Sequence, residues 1–133
     1  MMKKVLLICT GNSCRSIIAE ALINAKIFGV EAKSAGVHIN EEVNPLAKKL
    51  LESKGIWKDE YHSKTIDKFF NEHFDLLVTL CDYSYESCPI FPRPITKIHV
   101  GFTDPDGEPY KIYEELYKEM EYELLPRIKK ALR

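Results

Sequence analysis

The eight residues Cys9-Thr10-Gly11-Asn12-Ser13-Cys14-Arg15-Ser16 place a thiol, a tight-turn glycine and a guanidinium within one short span. Consecutive backbone N–H groups that bend around one point and open a helix make a nest for an anion, and the positive helix end strengthens its field. The amides of Thr10 to Ser16 can therefore hold a tetrahedral oxyanion. Gly11 relieves the steric limit on the bend, Asn12 tolerates a left-handed conformation and can tie the loop together, and Arg15 offers a planar fork to two oxygens. Cys9 stands at the entrance, where the same field favours thiolate over thiol. A thiolate facing a held oxyanion can attack its central atom, so the chemistry implied is nucleophilic. Cys14 reads as a small buried residue rather than a second reactant.

The elements around this loop are legible from period and punctuation. Val5-Leu6-Leu7-Ile8 is a continuous apolar run that reads as a buried strand delivering Cys9. From Ser16, which reads as a cap, the residues Ile17, Ala21, Leu22, Ala25 and Phe28 recur at helical spacing up to Gly29, with Glu20 in the opening turns. Val30 to Ser34 reads as a strand stopped by Ala35-Gly36, and Asn44-Pro45 as the cap and first residue of a helix running to Gly55. Ser63 or Thr65 can cap a further helix near 66–71. Phe74 to Leu80 is the most strand-like segment and ends at Cys81; Asp82 to Ser87 can form a short helix; Pro89, Pro92 and Pro94 mark a loop; Thr96 to Val100 is the last strand. Tyr110 to Leu132 is helical by its apolar repeat, with Pro126 expected to kink or split it. Strands alternating with helices predict an α/β fold, a four-stranded parallel sheet covered on both faces, whose functional loops follow the carboxyl ends of strands, where Cys9 and Cys81 both fall.

Composition bounds the rest. The 133 residues suit a single domain spanning 1–133, and no repeat or linker argues otherwise. Nineteen Lys plus Arg against twenty Asp plus Glu leave a net charge of -1, without the basic field that attracts nucleic acid or anionic lipid. No apolar run has the length of a signal core or a membrane span, so a cytoplasmic protein, expected to be monomeric, is the reading.

Cys81 and Cys88 lie seven positions apart; across a helix that is roughly 10 Å, beyond the reach of about 7 Å that a disulfide permits. Joining them requires the helix to unwind. Asp82, Ser84 and Ser87, with Pro89 following, make that helix cheap to melt. Zinc is the other use of four cysteines, but a cation beside Cys9 and Cys14 would compete with Arg15 for space and charge. Asp104-Pro105-Asp106-Gly107 reads by itself as a polar turn. His38, His62, His73 and His99 show no ligand spacing.

The loop, together with Ala19-Glu20, Ser34-Ala35-Gly36, Asn44-Pro45, Val78-Thr79-Leu80-Cys81, Cys88-Pro89 and Gly101-Phe102-Thr103-Asp104-Pro105, resembles in order and spacing the low-molecular-weight tyrosine phosphatase superfamily, and within it the thioredoxin-coupled arsenate reductases. The resemblance implies a three-layer fold in which Cys9 attacks arsenate held by the loop and Arg15, with Asp104, rather than Asp106, as general acid. It further implies a relay: a transient Cys9-Cys81 disulfide, then a Cys81-Cys88 disulfide reduced by thioredoxin, with no bound organic cofactor. Such a nest should also accept phosphate esters weakly. A low-molecular-weight tyrosine phosphatase shares Cys9, Arg15 and Asp104 but carries an aromatic after Asp-Pro, where this chain has Asp106. A thiol-based arsenite or metal sensor is a further alternative, without a visible DNA-binding surface. Some reductases of this kind hold potassium at positions that resemble Asn12, Glu20, Ser34 and Ser63 plus an aspartate, for which this chain has Thr65.

Overall fold

A computed structural model describes residues 2–38, 42–88 and 91–133. Four parallel strands, β1 (Lys3–Cys9), β2 (Val30–Gly36), β3 (Leu76–Thr79) and β4 (Lys97–His99), form one sheet in the order β2-β1-β3-β4. Five helices join and follow them: α1 (Arg15–Lys26), α2 (Pro45–Ser53), α3 (Asp82–Ser87), α4 (Tyr110–Glu119) and α5 (Leu125–Ala131). β1 lies between β2 and β3, so the crossovers leave it in opposite directions, and the crevice at the carboxyl ends of β1 and β3 is the switch point where open α/β sheets bind ligands.

Alternation along β1 divides the core. Val5 and Leu7 face α1, α2, α4 and α5, while Leu6 and Ile8 face a smaller cluster with Ile66, Phe69, Phe74 and Phe91. Cys9 and Cys81 belong to the larger cluster, and Cys88 packs against the smaller.

Several boundaries differ from the sequence expectations for identifiable reasons. α1 begins at Arg15 with Cys14 at the cap position and no side-chain cap bond, because the Ser16 hydroxyl is committed to other partners inside the first turn. Phe28 lies beyond the helix and is fully exposed, since Gly29 at φ 80° turns the chain into β2. β2 continues through Ala35 to Gly36, and 66–71 shortens to the 3-10 turn Ile66–Phe69. Pro126 neither stops nor sharply breaks the last helix: lacking an N–H for the Tyr122 carbonyl, it is accommodated by the π turn Met120–Leu124, with the Leu125 N–H reaching Met120. The expectation for Pro89 lies outside the described residues. Among the described residues, no helix is long and apolar enough to cross a membrane.

Asn44 does what its place before Pro45 implies and more. Its Oδ1 accepts the N–H groups of Leu46 and Ala47, and its Nδ2 donates to the Tyr113 hydroxyl at 2.9 Å and to Asp106 at 3.3 Å. One side chain thereby caps α2 and ties it to α4. Asn44→Ala is expected to cost about 1–2 kcal/mol, read as a lower urea midpoint at unchanged slope.

Candidate active site

β1 delivers Cys9 to the switch point and α1 carries the chain away, so residues 9–15 must turn within the crevice. The loop's carbonyl groups find partners on the surrounding scaffold. The Cys9 carbonyl accepts from Val37 N–H (3.1 Å), Thr10 from His38 N–H (2.9 Å), Asn12 from the Ser63 hydroxyl (2.8 Å) and Ser13 from Asn44 N–H (2.8 Å). In a trans peptide unit the N–H points opposite to the C=O, so the N–H groups of Thr10, Gly11, Ser13 and Cys14 turn the other way. Cys9, Thr10, Gly11, Ser13, Cys14, Arg15, His38 and Asp104 line a cavity of about 190 Å³ there, a size suited to one tetrahedral oxyanion.

Asn12 is the hinge of this turn. At φ 53° it is left-handed without being glycine, and it is completely buried. Its Oδ1 accepts the Lys64 N–H at 3.0 Å, which orients the amide; the Nδ2 then donates to Ser16 Oγ (2.7 Å) and Ser34 Oγ (2.9 Å). Ser34 spends its proton on Glu20. Ser16 Oγ lies 2.9 Å from Cys9 Sγ, and with the Asn12 N–H on one lone pair it can direct its own proton at an ionised sulfur. Gly36 closes the arrangement: a Cβ there would stand 2.8 Å from the Gly11 carbonyl carbon and 2.9 Å from the Asn12 nitrogen.

Arg15 has a second task that the loop alone did not show. Its Nη1 donates to the Phe102 carbonyl at 3.1 Å and its Nη2 lies 3.6 Å from Asp104 Oδ2, so the guanidinium draws the segment after β4 over the cavity. Asp104 also accepts the Asp106 N–H at 3.0 Å, making the turn and the site contact one structure. A neighbouring cavity of about 360 Å³ includes Arg15 and Asp104 together with Cys81 and Asp82.

Cys81 follows β3, beside β1 in the sheet, and its sulfur lies 3.3 Å from Thr10 Oγ1, next in sequence to Cys9. It caps α3: Ser84 N–H approaches Sγ at 3.4 Å while the Cys81 N–H donates to Ser84 Oγ at 3.3 Å. Burial pushes the Cys81 thiol up, but hydrogen bonds from Ser84 and Thr10 and the Arg15 charge outweigh it, and the net direction is down. Burial raises Cys88, with Lys97 opposing, and raises Cys14 far enough to keep it a thiol. None of the four cysteines is in a disulfide, and α3 stands between Cys81 and Cys88. Among the described residues, no cluster of His, Cys, Asp and Glu could hold a metal ion.

Three contributors escaped the sequence reading. His38 lines the anion cavity and meets the Tyr83 hydroxyl on α3 at 2.6 Å. His99 lies 2.8 Å from Thr79 Oγ1 and 3.2 Å from Asp82, holding the first turn of α3 to β3 and β4. Lys64 is buried beneath the loop. No spacing marks them; each is recruited from another element by the crossing of the chain. Ser63, considered as a helix cap, instead supports Asn12.

The fold and this loop define the class: residues 4–131 match the low molecular weight phosphotyrosine protein phosphatase family, and the chain belongs to it. Its relatives include arsenate reductase 2 of Staphylococcus haemolyticus, 39% identical over 120 residues that cover 89% of this chain and 90% of that one. The crystal structure of an arsenate reductase from Archaeoglobus fulgidus superposes with a TM-score of 0.78 at 34% identity, covering 96% of this chain and 98% of the other. A thioredoxin-dependent arsenate reductase from Corynebacterium glutamicum superposes with a TM-score of 0.71 at 26% identity over 98% of this chain and 63% of its own.

Gly36→Ala is expected to push the loop aside and weaken phosphate or sulfate binding by about 10-fold or more in calorimetry while the fold persists. Site-resolved alkylation against pH should place the Cys81 midpoint below that of an ordinary thiol, about 8.5, and those of Cys88 and Cys14 above it.

Proposed function

We propose that the protein reduces arsenate to arsenite through Cys9, Cys81 and Cys88, using a thioredoxin-type dithiol as final reductant. The observation that carries this reading is Cys81 held against Thr10 at the rim of the anion cavity, at the head of a short helix that ends at a third thiol.

Arsenate occupies the cavity among the loop amides and Arg15. Cys9 attacks arsenic, Asp104 protonates the departing oxygen, which leaves as water, and a sulfur–arsenic bond forms. Cys81 thiolate then attacks Cys9 Sγ. As the sulfur–sulfur bond forms, the sulfur–arsenic bond breaks with its electron pair passing to arsenic, so As(V) becomes As(III) and arsenite departs. Cys88 attacks Cys81 Sγ and expels Cys9 as thiolate. The Cys81–Cys88 disulfide requires α3 to unwind, because the helix separates those residues, and the melted segment presents the bond to the external dithiol. The depressed Cys81 favours the first exchange; Cys88, raised by burial, gains reactivity as it leaves its pocket.

Phosphotyrosine hydrolysis would use the same Cys9, Arg15 and Asp104. Among the described residues, however, His38 is the one ring lining the cavity, while Tyr113 is buried with its hydroxyl on Asn44. Neither Cys81 nor Cys88 has a task in ester hydrolysis.

With arsenate, thioredoxin, thioredoxin reductase and NADPH, the protein should consume NADPH, and Cys9→Ser, Cys81→Ser and Cys88→Ser should each lower the rate by about 1,000-fold or more. p-Nitrophenyl phosphate cleavage should fall only with Cys9→Ser. Ester cleavage without any arsenate turnover would establish the phosphatase reading instead.

A further inference from the structure

A cavity of about 600 Å³, lined in part by Glu20, Lys33, Glu60, His62 and Lys64, shares no residue with the anion cavity. Two of its charged residues are almost closed off from water, Glu20 at 5% and Lys64 at 8% exposure. The relay uses neither. The Lys64 ammonium donates to the His62 carbonyl at 2.8 Å and acts across space on the Glu20 carboxylate. Burial is the larger effect at both groups, raising Glu20 and lowering Lys64, and each charge partly offsets it at the other; Lys33 adds positive and Glu60 negative potential at Glu20.

Glu20 is also the far end of the chain that reaches Cys9. It accepts the Ser34 hydroxyl, Ser34 accepts from Asn12, Asn12 donates to Ser16, and Ser16 meets Cys9 Sγ. An ionised Glu20 can only accept, so the Ser34 proton is committed to it, Asn12 supplies both N–H groups, and the Ser16 proton is left for the sulfur. A carboxylate this enclosed needs a compensating charge.

The donor set does not fit the potassium ion that the resemblance suggested. Asn12 turns its N–H₂ group, not an oxygen, toward Ser34 and Ser16, while its two oxygens accept from Lys64 and Ser63. Thr65, in the place of the aspartate, directs its hydroxyl to Asp67. A buried lysine already lines the same cavity as the carboxylate. We propose that the Lys64 ammonium is the built-in cation of this loop, a positioning residue that acts through Glu20, Ser34, Asn12 and Ser16 to keep Cys9 reactive without potassium. A tethered cation is present in every molecule, whereas a free monovalent ion would have to be bound from solution.

The inference rests on Cys9 as nucleophile but not on the relay, so its test avoids arsenate and thioredoxin. Two rates are compared in full-length protein at pH 7 and equal ionic strength, in NaCl and in KCl: p-nitrophenyl phosphate hydrolysis, and Cys9 alkylation by iodoacetamide read by peptide mass. Wild type should show the same rates in both salts. Lys64→Met should lose about 10-fold or more in both rates, and Lys64→Arg should restore most of the loss. In Lys64→Met/Glu20→Gln both charges are gone, yet an amide oxygen can still accept from Ser34; this variant also serves if Lys64→Met alone fails to fold, and it should recover part of the Cys9 reactivity. Wild-type alkylation in Lys64→Met, a double variant no more reactive than a folded Lys64→Met, or a several-fold potassium activation of wild type would each overturn the proposal. A wild-type protein with an inert Cys9 and no ester cleavage would instead overturn the nucleophile assignment itself.

Discussion

A loop that turns its N–H groups toward one place must find partners elsewhere for the carbonyl groups that the same peptide units turn away. Here those partners come from 37–38 beyond β2, from Ser63 and from Asn44 before α2. The anion cavity is the inner surface of that arrangement. Without the outward bonds, buried carbonyl groups would be unpaired and the loop would relax toward whichever turn satisfied them. Residues far apart in sequence therefore shape a site whose lining is mostly contiguous.

Asn12 concentrates this constraint. A left-handed residue other than glycine needs support from its surroundings, and Asn12 receives it at its carbonyl and at every polar atom of its side chain. Its amide converts a backbone requirement into a directed hydrogen-bond chain, with Cys9 at one end and Glu20 at the other. The conformation that shapes the cavity thus also orders the protons around the sulfur.

The segment from Cys81 to Cys88 obeys a different logic. Cys81 is fixed by the capping box with Ser84 and by Thr10, within the rigid crevice. Cys88 lies at the other end of a six-residue helix and packs against the opposite core cluster. A preorganised first thiol and a separated second one suit sequential exchange: the first step needs proximity, and the second needs a movement that leaves the β1 and α1 scaffold intact. His38, His99 and Lys97 hold α3 through contacts at the surface, which can be released more cheaply than core packing.

The alternation of strands and helices, the sheet's parallel character and the placement of Cys9 and Cys81 at carboxyl ends were legible in sequence, because apolar period, caps and glycines are local signals. Asn44-Pro45 was readable for the same reason. Strand ends were less so: β2 outran its predicted length because pairing with β1, which no local residue encodes, carried it to Gly36. Pro126 announced an irregularity, but whether it became a break or a π turn depended on the packing of Met120 and Leu124 in the core. The amino-acid order by itself determined which groups could do chemistry, since a thiol, a guanidinium and a bend-tolerant loop are properties of residue type and spacing. Only the tertiary structure decided which groups serve them. The partners of Asn12, the hold of Arg15 on Phe102 and Asp104, and the burial of Lys64 near Glu20 arise where the chain crosses itself, and long-range electrostatics and close packing have no period to read.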